Sequence, residues 1–583
     1  MGSIGATHCL GVLSYVQKRV VSMNVADPAT SPIRRCAAAI AVSFCASILT
    51  GCMVGPDYRR PKADVPETWL DMKAPTKEQT DHNLKWWTTF NDPALNSLVD
   101  RAFAQNLTLR EAGLRVIQAR ALRGIAVGDF FPQNQAATGQ VSDTGLSKNA
   151  PLGRGSRWYS EYSVGLEAAW ELDFWGRFRR GIESADASLN ASVADYDSVL
   201  IMLAADVSTE YVIIRSLQEQ LVFTRINVKS QQDTLELTKV RNRAGAVSEL
   251  DVATAQATLS NTEAFIPALE DALRQNTMAL CVLLGRTPSN LEAELGGSGT
   301  VPAAPAEIAL GIPAELLRRR PDVRRAERTA AALSAQIGVA TADLYPSVTI
   351  KGMTGFHTST FKTPGVHPNA GNLLDADSFE GFVGLDVNWP ILNYGRIENS
   401  IRVADARFQE AAAVYQNTVL QAAADVETGL SSFLRNRERA GFLSESVIAA
   451  QRTVDLALIQ YRQGAVDFLR VNQAQVDLVD RQNSLVIARA SVAQGAIATY
   501  RALGGGWETY ANKEFVPQQT IDEMRSRTDW GDILSPNYDR GADLLFKRPR
   551  RDAPVNSGVP GQSDPPADLP PRRTPETHND NSK

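Results

Sequence analysis

The sequence predicts a mixed α and β membrane protein built as an internal tandem repeat. It expects four strands per chain, too few to close a barrel alone, continuous with helices of about 100 Å. Three observations lead there. First, the stretch from Val164 through Trp170 to Gly176-Arg177 returns from Val383 through Trp389 to Gly395-Arg396, a displacement of 389 − 170 = 219 residues. The same displacement carries Arg243, Gly245 and Val247 onto Arg462, Gly464 and Val466, and Leu284-Gly285 onto Leu503-Gly504, so each half is one architectural unit. Second, the residues before each Trp alternate. Tyr162, Val164, Leu166, Ala168 and Trp170 oppose Glu161, Ser163, Gly165 and Glu167; Phe379, Val383, Leu385, Val387 and Trp389 oppose Glu380, Gly384, Asp386 and Asn388, with Phe382 the exception. A half-buried strand of a soluble sheet has this pattern too, but Trp170 and Trp389 closing the apolar faces fit an aromatic girdle, and the acids opposite suit a wet lumen. Third, the period changes after each Trp. Ile397, Ile401, Ala404, Phe408, Ala411, Tyr415, Val419, Ala422 and Val426 form a helical stripe of about 3.6 residues per step.

The 583 residues carry a net charge of −5, 44% hydrophobic residues and a mean hydropathy of −0.20, without the basic excess that nucleic-acid binding demands. No run beyond residue 52 is long and apolar enough for a transmembrane helix, so any crossing falls to strands. Residues 1–51 read as a signal peptide. Arg34-Arg35 is its positive region, Cys36 to Leu49 its apolar region, and Leu49-Thr50-Gly51-Cys52 a lipobox that places lipid on Cys52; Met23 is the expected start. Cleavage removes Cys9, Cys36 and Cys45, which leaves Cys281 as a buried, inert thiol and no disulfide framework.

Residues 52–91 form a Pro-rich, lipid-anchored linker ending at Trp86-Trp87, and the first repeat spans 92–285. Its opening helix runs from Asp92-Pro93 to Phe131-Pro132 and its counterpart from Pro321 to Tyr345-Pro346, displaced by 214. Strands are expected near 133–143 and 347–356, with the first weakly signalled, and Gly/Ser/Asn-rich loops join them to the Trp-capped strands. Both long helices, Arg177 to Arg243 and Arg396 to Arg462, lack Pro and end at left-handed tips, Gly245 and Gly464. Return helices run from Leu250 to Leu284 and from Leu469 to Leu503. Residues 286–312 link to the second repeat at 313–507, and 508–583 is a largely disordered extension.

In combination, Leu-Thr-Gly-Cys52-Met-Val-Gly-Pro-Asp-Tyr, Leu316-Leu-Arg-Arg-Arg320-Pro321-Asp322, Tyr461-Arg-Gln-Gly464 and Leu503-Gly-Gly-Gly506-Trp507 resemble the TolC/OprM outer-membrane efflux family, in its lipoprotein (NodT-type) branch. The resemblance covers roughly residues 49–507 and implies a homotrimer: a twelve-stranded outer-membrane barrel above a periplasmic helical barrel. It also implies a periplasmic adaptor protein and an inner-membrane RND-type transporter as partners, with adaptor docking at the tips, Arg243, Gly245, Arg462 and Gly464. It implies a periplasmic gate in which Tyr461 bonds Asp251, lined by Leu469, Arg470 and Gln473. The same residues fit a second account in which Asp251 caps the returning helix and Tyr461 packs in the seam.

No enzymatic chemistry is legible. His8, His82, His357, His367 and His578 lack metal-ligand spacing, and the chain has no P-loop, dinucleotide fingerprint or nucleophile elbow, so no cofactor, metal or catalytic residue is expected. Three other classes compete with an efflux duct. A type I protein-secretion duct shares the fold, a structural coiled-coil lipoprotein has no need of the Trp-capped strands, and a lipid-anchored enzyme needs a polar constellation.

Overall fold

The computed structural model describes residues 53–65, 68–70, 85–147, 149, 157–297, 299–308, 318–361, 370–510, 513–535 and 538. The signal segment, Cys52 and the tail beyond 538 lie outside the described residues.

Asp92 opens the first helix as its N-cap, its Oδ1 accepting from Ala94 N at 2.9 Å with Pro93 in the first turn. The expected single helix is two, α1 (Pro93–Gln105) and α2 (Leu107–Gly128), because Asn106 breaks the chain in extended geometry and caps α2 through Leu109 N at 2.8 Å. Strands β1 (Asn134–Gly145) and β2 (Trp158–Glu171) follow, then the 67-residue α3 (Arg177–Arg243) and the 35-residue α4 (Glu249–Leu283). The second half gives the 22-residue α5 (Pro321–Ala342), β3 (Ser347–Ser359), β4 (Phe379–Asn388), the 67-residue α6 (Arg396–Arg462) and the 35-residue α7 (Phe468–Ala502). Even the fixings repeat. Asn106 Nδ2 donates to Leu283 O at 2.9 Å and closes the end of α4; its counterpart Arg320 donates to Ala502 O at 2.8 Å and closes the end of α7. Burial works against the Arg320 charge, but Asp322 and Asp425 outweigh it and hold its pKa above the ordinary guanidinium value.

The four strands form one antiparallel sheet in the order β1-β2-β3-β4, open at both edges. β1 pairs along its whole length despite its weak local signal, since β2 supplies partners from Asn134↔Ala169 to Gly145↔Trp158. The repeat slips here by one residue. Ala168 and Val387 are equivalents, yet their partners Gln135 and Val348 are 348 − 135 = 213 apart, so the first half carries one more residue between its Pro and its strand.

The main core lies where α1, α2, α3, α5, α6 and α7 meet. Trp86 stacks on Tyr500 at 5.5 Å and Trp87 meets Phe103 edge-on at 5.7 Å, which gives the paired Trp residues a packing role. Tyr211, fully buried on α3, donates to Asp92 Oδ2 at 2.6 Å and accepts from Arg215 Nε at 2.9 Å, while Arg215 also holds the carbonyls of Leu295 and Gly297 in the link. Burial, then the Asp92 bond, raises the Tyr211 pKa. Cys281 is buried with Sγ 3.5 Å from Ser289 O.

Past Trp507 the described chain is packed as far as Arg527, the near end of the extension expected at 508–583. Phe515 meets Tyr196 edge-on at 5.1 Å and lies under the Arg120 guanidinium, and α8 (Gln518–Arg527) buries Ile521 and Met524. A Cβ on Gly113 of α2 would sit 2.0 Å from Phe515 O, so the glycine is what lets this strap lie on the helix.

Candidate functional site: the sheet and the hairpin tips

The register puts the expected apolar residues on one face. Leu166 opposes Ala137 and Thr354, Val164 opposes Gly139 and Phe356, and β4 adds Val383 opposite Gly352 and Leu385 opposite Ile350. Val383 is 82% and Val387 65% exposed, an apolar surface that the other described residues leave uncovered. The other face is polar. Lys351 Nζ meets Asp386 Oδ2 at 2.8 Å, and Thr138 Oγ1 donates to Glu167 Oε1 at 3.3 Å. At the base of the sheet the indoles make equivalent bonds: Trp170 Nε1 donates to Phe130 O at 3.2 Å and Trp389 Nε1 to Leu344 O at 3.1 Å. Each Trp thereby fixes the angle between its strand and the helix that feeds the sheet.

At the far end of the long helices, Gly245 (φ 70°) and Gly464 (φ 77°) turn the two hairpins through left-handed geometry. Arg243 and Arg462 sit exposed beside them. The expected Tyr461–Asp251 bond is not made in this conformation. Asp251 Oδ2 accepts from Ser248 N at 3.0 Å and Ser248 Oγ at 2.9 Å, while Ser248 Oγ accepts from Asp251 N at 3.3 Å, a capping box that occupies the carboxylate locally. Tyr461 is fully buried, its ring edge-on to Phe468 at 6.0 Å and its hydroxyl donating to Thr238 Oγ1 at 3.3 Å. Leu469 is 64% exposed, Arg470 and Gln473 are also exposed, and Gln473 Nε2 bonds Asp477 at 3.0 Å.

Two features escape sequence reading. Between tips and core the two hairpins meet over polar groups: Asn227 Nδ2 donates to Gln482 Oε1 at 2.7 Å, Gln475 Nε2 to Thr234 Oγ1 at 2.9 Å, and Thr258 Oγ1 to Asn472 Oδ1 at 2.7 Å. Gln231 is 3% exposed within this seam. At the tip, Arg241 of α3 reaches across to Tyr461 of α6. A helical-spacing search for polar residues on the faces turned toward the other hairpin would have found Asn227, Gln231, Thr234, Thr238 and Arg241 together.

An amphipathic antiparallel sheet with open edges, fed into paired helices of about 100 Å, defines a channel protein of the outer-membrane type. A family model described as "Outer membrane efflux protein" matches residues 98–286 and 312–505, and the chain belongs to that family. It is 33% identical to Nodulation protein T of Rhizobium leguminosarum bv. trifolii over 452 residues, 77% of this chain and 92% of that one. Against the pyoverdine export outer membrane protein OpmQ of Pseudomonas aeruginosa it is 29% identical over 452 residues, 76% of this chain and 92% of that one. The outer-membrane channel OprN superposes with a TM-score of 0.72 at 32% identity, covering 78% of this chain and all of OprN. The chain is an outer-membrane component of efflux, located in the outer membrane of a Gram-negative bacterium.

Proposed function

We propose that three copies of the chain close a twelve-stranded barrel around one pore, with the helices of both repeats continuing it as a periplasmic tunnel. In this reading residues 92–285 and 313–507 are the repeats and 286–312 joins them. A periplasmic adaptor meets the tips at Arg243, Gly245, Arg462 and Gly464, and an inner-membrane RND-type transporter supplies the energy. The duct has no catalytic residue and no cofactor. Its gate is lined by Leu469, Arg470 and Gln473 around Tyr461, with Asp251 capping α4 behind them. Cargo is drugs or other small solutes.

One observation carries the assembly. Inside the chain, α5 packs against both long helices, α3 and α6, whereas its repeat counterpart α2 packs extensively against only one of them, α3, and leaves Leu122 and Ile125 more than 60% exposed. The sheet has the same gap: β2 of the first half pairs with β3 of the second, while β4 and β1 remain open. A neighbouring copy fills both places if the relation between halves is repeated between chains, a heterologous contact that closes into a ring. The internal pair Leu166↔Thr354 then sets the register between copies, with Leu385 opposite Val141 of the partner subunit once the 219 and 213 displacements are applied. Leu385→Cys combined with Val141→Cys is expected to give a covalent trimer on denaturing gels after oxidation. Leu385→Cys with Gln140→Cys, whose side chains point to opposite faces, is expected to stay monomeric. A covalent product from the second pair alone would overturn the register.

Cys52 is proposed as the lipidated N-terminus, and the segment behind it supports this: Val54 N donates to Trp175 O at 3.0 Å and Met53 packs on Gly176, at the level where strand passes into helix. Mass spectrometry of the mature chain is expected to show an acylated Cys52; an unmodified N-terminus elsewhere rejects it.

A further inference from the structure

We infer that Arg241 is the tie that holds the two hairpins of one chain together at the periplasmic mouth. The inference rests on the duct reading above and adds a residue to its gate. Arg241 lies four residues before Gly245, half-buried, with its guanidinium 4.4 Å from the centre of the Tyr461 ring. Its Nη1 donates to Tyr461 O, and its Nη2 lies 3.8 Å from where a Cβ on Gly464 would stand. One planar cation therefore engages the ring of Tyr461, a carbonyl in the last turn of α6, where partial negative charge collects, and the edge of the opposite tip. One turn back on α3, Thr238 receives the Tyr461 hydroxyl at 3.3 Å, so two groups of the first hairpin grip one residue of the second.

The tie is not repeated. The residue 219 after Arg241 is Gln460, and the residue 219 before Tyr461 is Asn242, whose Nδ2 instead closes its own tip through Val247 O at 3.0 Å. Where the second hairpin of one copy meets the first hairpin of the next, the equivalent positions offer neither a cation nor a ring. The mouth of a trimer thus alternates tied junctions within chains and untied junctions between them. Loss of the tie frees the one junction that the chain itself can hold, and the closed arrangement loses population.

The test is single-channel recording of the full-length protein in planar bilayers. Arg241→Ala is expected to raise the open fraction about tenfold, and Arg241→Lys to fall between it and wild type because an ammonium keeps charge but not the planar stack. Because the tip is far from the main core, the melting temperature of Arg241→Ala is expected within about 2 °C of wild type. Unchanged conductance in Arg241→Ala overturns the tie. Should that variant fail to reach the membrane, Tyr461→Leu removes the ring but leaves the carbonyl that Nη1 bonds, and is expected to show a smaller rise; an unchanged open fraction there overturns the tie equally. Absence of any current from wild type and from both variants, each recovered as folded protein in the bilayer, rejects the duct itself, a result distinct from either.

Discussion

Val383→Arg is expected to abolish stable insertion, while Asp386→Arg leaves it nearly intact. Val383 is 82% exposed on the apolar face, between Glu380 and Asp386 in sequence but on the opposite side of the sheet from both. An arginine there meets hydrocarbon. In the proposed barrel each copy would lose about 2–4 kcal/mol for a cation near the bilayer midplane, and the ring would bear the cost once per copy. Asp386 faces the other way and its carboxylate pairs with Lys351, both side chains about half exposed. Losing an exposed pair costs roughly 0–1 kcal/mol, and a guanidinium beside Lys351 adds a modest repulsion that water and salt screen. Folding is read from the denaturant-resistant oligomer recovered in the outer-membrane fraction. Equal yields for both variants would mean that the two faces are assigned the wrong way round.

The difference between these variants could be foreseen because strand phase is written in alternation, and alternation survives the absence of any structural context. The long helices were legible for the same reason: each unbroken stripe ends at a glycine, and α3 and α6 begin and end at the residues that the repeat predicts. Other features left no periodic trace. The one-residue slip between the halves is hidden because Pro132 and Pro346 preserve the 214 displacement up to the edge of the sheet, and only pairing reveals that the strands follow 213. The strap around Phe515 has no counterpart in the first half, so repetition could not mark it, and its burial rests on Tyr196, on Arg120 and on the close approach that Gly113 allows. At the mouth, Ser248 and Asp251 have the spacing of a capping box, and that local bond occupies the carboxylate that the gate account required. Helix-by-helix reading sees caps well and cross-hairpin contacts poorly, since Arg241 and Tyr461 lie 220 residues apart.

Arg180→Met is expected to release the N-terminal segment from the body of the protein without unfolding the rest. Arg180 is 2% exposed on the first turn of α3, and its donors converge on a strap that has no regular structure of its own. Nε bonds Val54 O at 3.2 Å, Nη2 bonds Gly55 O at 3.3 Å and Asp57 Oδ1 at 2.9 Å, and Nη1 holds Glu183 at 2.7 Å. Burial alone would lower the pKa of the guanidinium; bonds to Glu183 and Asp57 more than offset it, so the group stays charged and the clamp stays set. Gly55 completes the fit, with φ of 88° and a position where a Cβ would come within 2.4 Å of Gly338 Cα. Methionine keeps the stem that packs against Gly338 and deletes every donor. A hydrogen bond to a charged group contributes about 1.5–3 kcal/mol, but Asp57 and Glu183 can return to water, so the net loss is about 3 kcal/mol, concentrated in the strap. Farther along, Arg60 pairs with Glu327 at 2.8 Å, Gln416 Nε2 holds Lys62 O at 2.8 Å and Glu427 Oε1 accepts from Leu70 N at 2.8 Å, so the lower strap keeps its own fastenings. Limited proteolysis is therefore expected to cut Arg180→Met between residues 53 and 60 at least about tenfold faster than wild type, with the melting transition of the helical body unmoved. Gly55→Ala attacks the same clamp through backbone strain and is expected to reproduce the cleavage. A strap that resists protease in both variants would show that the lower fastenings hold it alone, and that Arg180 is buried for packing rather than for anchorage.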